Sequence, residues 1–198
     1  MSIPLRSTWL TAALALAAAP AGPRASVAAP SGAPDDVQVT VSLDAAEQSG
    51  SAQAEVTIHA RREVVWSLIT SCTEALTLVP GLQACRVLET APDGSWQRIR
   101  HVLDYSWYLP RLTYEFRASY VHPVRISIER VSGDLTTLRA SWDLDGVEGG
   151  TRARYAVVLV PGFWVPHWLV RAALRRDLPK MLRSIAARAE SIQARNPG

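Results

Sequence analysis

Two cysteines, Cys72 and Cys85, are all the thiol chemistry this 198-residue sequence offers. They form no Cys-x-x-Cys pair and keep no recognised spacing to a histidine, so neither reads as catalytic. The four histidines, His59, His101, His122 and His167, are scattered and make no ligand pattern with an acid. A metal centre needs three or four converging ligands, so neither a metal nor another cofactor is expected. Long apolar runs are equally scarce: one near the start, and no second one able to cross a bilayer. No internal repeat is visible.

The one apolar run has the form of an export leader. Arg6 supplies a positive start, residues 9–19 an apolar centre, and Ser26-Val27-Ala28 a small-x-Ala cleavage pattern. The run is shorter than the roughly 20 apolar residues a transmembrane helix needs. The expectation is a signal peptide over 1–28, a Pro/Ala/Ser/Gly linker over 29–36, and a periplasmic or secreted mature chain. The net charge of +3 then falls to +1, because two arginines and no acid leave with the leader. A nucleic-acid binder should show a clear basic excess, so that partner is excluded.

What remains is one domain's length, placed at 37–192 with a tail over 193–198. Apolar and polar residues alternate over 37–43 and 52–59, which predicts two strands. Val65, Trp66 and Ile69 share a helical face within 62–70. A second short helix is expected over 73–78, capped by Thr73 and stopped by Pro80-Gly81. Strands follow at 83–89, 96–108, 112–121, 125–131, 137–144 and 151–160, separated by turn residues such as Pro92-Asp93-Gly94 and Ser132-Gly133-Asp134. Short connections make these an antiparallel meander. From Pro166 the spacing becomes helical, with Trp168, Leu169, Ala172, Ala173, Leu178, Met181, Leu182 and Ile185 as the apolar side. Pro179 predicts a kink near Asp177. A sheet that buries one face needs a cover, and the long terminal helix provides it.

One unit in this order is distinctive. The strand over 53–59, which carries Ile58, runs through Ala60 into a helix with Val65, Trp66, Ile69 and Thr70. Pro80-Gly81 follows, then a strand ending Val87-Leu88-Glu89. This order and spacing resembles the opening of the START-like superfamily, which includes polyketide cyclase and coenzyme Q-binding proteins, and the resemblance extends over 37–192. It implies an α+β helix-grip fold: a curved antiparallel sheet around a long C-terminal helix, two short helices after the first strand, and an apolar cavity between sheet and helix. It implies no reaction, because one fold hosts many functions.

Alternation points one set of side chains inward: Ile99, His101, Leu103, Tyr105 and Trp107 on one strand, and Tyr114, Phe116 and Tyr120 on the next. Trp142 and Tyr155 follow on later strands, with Trp168, Met181 and Ile185 facing them from the helix. An apolar face with a few hydroxyls and one imidazole suits either a packed core or a ligand cavity. Cys72 and Cys85 are open to two readings, a disulfide or two small buried thiols. The arginine-rich terminal helix, with aromatic residues at its start, reads as a solvated face or as a peripheral membrane contact. The function expected is binding or transfer of an apolar small molecule or lipid. The alternative is a cyclase or dehydratase using the tyrosines, His101 or an arginine. No residue matches a catalytic signature, so the balance falls against an enzyme.

Overall fold

The alternation of Ala52, Ala54, Val56 and Ile58 with Gln53, Glu55 and Thr57 becomes a burial pattern, the first four inside and the other three exposed. The computed structural model describes residues 38–44, 49–105 and 110–196. The expected leader and linker and Trp107 lie outside them. The elements are β1 Gln38–Asp44, β2 Ser49–Ile58, α1 Arg62–Ile69, α2 Cys72–Leu78, β3 Leu82–Thr90 and β4 Trp96–Leu103. Then come β5 Leu112–Val121, β6 Arg125–Gly133, β7 Leu135–Val147, β8 Gly150–Pro161 and α3 His167–Arg195.

All the described strands join one curved antiparallel sheet, in the order β1-β2-β8-β7-β6-β5-β4-β3. The meander from β3 to β8 is continuous. The opening pair then attaches at its far side, with Ile58 opposite Thr151 and Gly50 opposite Leu159. The two short helices bridge from β2 back to the opposite edge, β3. This is the helix-grip arrangement.

The grip is α3. Val170, Leu174, Leu178, Leu182, Ala186 and Ala189 recur close to every fourth residue and are buried, along with Met181 and Ile185. Pro179 lies inside the helix without a backbone donor, and α3 continues through it as one element to Arg195. Near its end, the Glu190 carboxylate accepts from the His59 backbone N–H at 3.0 Å, and Gln193 accepts from that of Arg61 at 3.2 Å. These bonds seat the helix on the β2–α1 junction. Beside it the fully buried Thr151 donates its hydroxyl to the Ala60 carbonyl at 2.7 Å.

Two expectations need correcting. The cap of α2 is Ser71, whose hydroxyl accepts from the Glu74 N–H at 3.2 Å, and Thr73 is exposed within the helix. A serine one residue before the first turn reaches that N–H, whereas Thr73 is already inside the turn. Strand β4 also stops at Leu103, short of the expected 108, because Asp104 turns its N–H to the Gly81 carbonyl at 2.8 Å.

Candidate functional site

Strand register assembles the site. Ile99 pairs with Phe116 and His101 with Tyr114 across β4 and β5. One row of inward residues crosses the sheet as Ala118, Ile128, Ala140 and Val157. A neighbouring row is Tyr120, Ile126, Trp142 and Tyr155. Alternation keeps both rows on the face that α3 covers. Between sheet and helix lies a cavity of about 150 Å³.

Nine of the inward residues expected from alternation line it: Ile99, His101, Tyr114, Phe116, Tyr120, Trp142, Tyr155, Met181 and Ile185. Leu103 is buried but lies outside the wall, at the strand end where it pairs with Leu82 and Leu112. Tyr105 also lies outside the wall. It is past the end of β4, so strand parity no longer sets its direction, and its ring packs on Gly81. That glycine has φ +76°, and a Cβ there would meet the Tyr105 ring at 3.0 Å.

Trp168 is a clear correction, because it points to solvent at 69 % exposure. The buried stripe of α3 begins at Val170, two residues and roughly 200° further round the helix. Trp168 and Ala172 therefore lie on the outer face.

A second part of the wall comes from the two short helices, whose individual lining residues lie outside the alternating set. Ile69, Thr70, Ser71, Cys72, Ala75, Leu78 and Val79, from the end of α1 through α2, close the space between the sheet edge and α3. Cys72, Ala75 and Leu78 recur every three residues, and that spacing was the available signal. Cys72 is bonded to Cys85 of β3, with Cα atoms 5.2 Å apart, and both cysteines face the cavity. Across the opposite side of α2, Glu74 and Arg188 of α3 form a two-pronged ion pair at 2.9 and 3.1 Å. That contact holds the Glu74 carboxyl below its ordinary value.

The polar groups in the wall are few. His101 Nδ1 lies 3.4 Å from the Tyr114 hydroxyl. The His101 ring also meets Phe116 edge-on, with centroids 4.8 Å apart. Loss of water drives the imidazole pKa down to about 4, so it is neutral at pH 7. Burial raises the phenols of Tyr120 and Tyr155 to about 12, and that of Tyr114 further, helped by the nearby Tyr155 and Tyr105. Tyr120 donates to Gln97 at 2.9 Å. Tyr155 stacks obliquely on Trp142, with centroids 4.5 Å apart, and its hydroxyl has no hydrogen-bond partner among the described residues. No Asp, Glu, Lys or Arg lines the cavity among the described residues. Arg130 of β6, two residues beyond Ile128, donates to the carbonyls of Leu135 and Gly133 at the β6–β7 turn. The wall is therefore uncharged, apolar over most of its area, and carries hydroxyls and one imidazole.

The family described as polyketide cyclase / dehydrase and lipid transport matches residues 58–186, and the chain belongs to it. Among solved structures it is similar to the Zhui aromatase/cyclase from Streptomyces sp. R1128, at 16 % identity and TM-score 0.63, covering 76 % of this chain and 98 % of that one. It is also similar to a STAR-related lipid transfer protein from Xanthomonas axonopodis, at 15 % identity and TM-score 0.66, covering 79 % and 94 %. A START superfamily protein from Mycobacterium smegmatis aligns at 15 % identity and TM-score 0.62, covering 72 % and 98 %. At these identities the likeness is one of fold. No curated protein matches the chain.

Proposed function

We propose that this protein binds and carries an uncharged apolar small molecule or lipid outside the cytoplasm. The observation that carries the reading is the cavity wall. It has no charged side chain among the described residues, and its one imidazole is neutral. A carboxylate or phosphate placed there would be desolvated without a counter-ion, at a cost of several kcal/mol. A neutral ligand avoids that cost, and a carbonyl or hydroxyl on it would find the Tyr155 hydroxyl and the His101–Tyr114 pair. An apolar cavity of about this volume accepts a benzene-sized guest. The space thus fits one ring or a short branched chain. The bonded Cys72–Cys85 pair and the leader pattern support export, since disulfides persist in oxidising compartments.

Solvent extraction of the natively produced protein should release a neutral apolar compound. An apolar fluorescent probe should bind the emptied protein, and Ala140→Trp, which fills the wall, should block the probe with the fold retained. Failure of wild-type protein to bind such probes, with overpacking and unfolding of Ala140→Trp, would return the cavity to ordinary core.

The His101–Tyr114 contact favours a second reading, proton transfer in a cyclase or dehydratase. Against it, a general base works best with a pKa near the operating pH, and an imidazole at about 4 is a weak one. Turnover of a cyclisable polyketone that disappears in His101→Gln, while probe binding persists, would establish catalysis.

A further inference from the structure

We infer that the first turns of α3 and the connection before them form a docking face for an anionic lipid bilayer. Trp164 and Trp168 are 75 % and 69 % exposed, the two most exposed large apolar residues among those described. Indoles at an interface place an apolar ring and a polar N–H across a water–lipid boundary. On α3, Trp168, Arg171 and Arg175 fall at i, i+3 and i+7, so they share one face, and all three are exposed. The opposite face, beginning with Val170 and Leu174, is already buried against the sheet.

The charge on this face has one sign. Arg171 and Arg175 make no salt bridge among the described residues. The two acids of α3 are both engaged, Asp177 by Arg176 at 2.7 Å and Glu190 by the His59 N–H. Protruding indoles beside unneutralised arginines match an anionic bilayer surface better than a folded partner. No helix among the described residues is long and apolar enough to cross a membrane, so the contact is a resting one. The face also lies where the cavity's strands end. Gly162, just before it, donates its backbone N–H to Asp134 in the β6–β7 turn at 2.7 Å.

Co-flotation with vesicles tests this independently of the cavity. The purified protein should float with phosphatidylcholine vesicles containing phosphatidylglycerol, release in high salt, and ignore phosphatidylcholine alone. Arg171→Gln or Arg175→Gln should each weaken partitioning about fivefold. The double variant Trp164→Ala/Trp168→Ala should abolish it, with melting temperature and probe binding unchanged, which separates docking from ligand binding. Wild-type protein that stays off anionic vesicles at low salt would overturn the proposal, as would a double-tryptophan variant that floats equally well. Sedimentation showing a dimer that the tryptophan variant splits would also overturn it, by assigning the patch to a second copy of the chain.

Discussion

His101 is the residue whose surroundings most alter its chemistry. Its pKa in the fold, about 4, lies below the ordinary 6.5, so as pH falls the unfolded chain takes up the proton first. Stability from this group is complete above about pH 6.5, declines between about 6.5 and 4, and is gone below. The total lies near 3 kcal/mol. Thermal melts of wild type across that window should therefore fall more steeply than those of His101→Gln. The carboxyls of Glu74, held low by Arg188, and of Glu115, held low by the Arg100 guanidinium bonded to it across β4 and β5, act in the same direction but at lower pH, so the difference between the two proteins isolates the imidazole. Thr151 permits a second residue-scale prediction. Thr151→Val keeps the shape but removes the hydroxyl that donates to the buried Ala60 carbonyl, and should cost about 1–3 kcal/mol in denaturant titration.

Among the elements, α2 joins thin packing to strong fastenings. Only Leu78 of its residues is fully buried, yet it is tied to β3 by a disulfide and to α3 by the Glu74–Arg188 pair. Closing a loop of this size is worth about 3 kcal/mol, so reduction or Cys72→Ala/Cys85→Ala should lower stability by that order. If α2 is the part of the wall that yields, the same change should speed probe release in stopped-flow. Peptide mapping without reductant should recover the Cys72–Cys85 pair. At the β6–β7 turn, Gly133 has φ +99° and its missing Cβ would lie against the backbone of Thr113 and Tyr114. Gly133→Ala should cost about 1–3 kcal/mol and disturb the probe site through Tyr114. The strands were legible because a half-buried strand writes its burial in period two, as Ala118, Tyr120, Ile126 and Trp142 show. Helix faces were less so. Trp168 and Ala172 are as apolar as Val170 and Leu174 on the opposite side, and composition alone does not say which side meets the sheet. Tyr105 escaped because parity is meaningful only while the strand continues. The disulfide is not legible in the sequence because alternation in β3 does not say whether Cys85 faces α2 or turns away from it.

For the whole molecule, what is legible is the architecture and much of one cavity wall. What is not is the guest, since an uncharged lining excludes ions without naming a neutral compound. The sheet order carries one more consequence. Strand β2 finds its partner in β8, so that Ile58 waits for Thr151, and the β2–α1 junction waits for Glu190 near the end of α3. Contacts so distant in sequence form late. A nascent chain can pair its meander strands as they emerge, yet it leaves β2 without a neighbour on one side and the cavity without its helix until the last quarter arrives. Release of a chain cut before β8 should yield protease-sensitive, probe-inactive material, because the cavity wall needs β8 and α3.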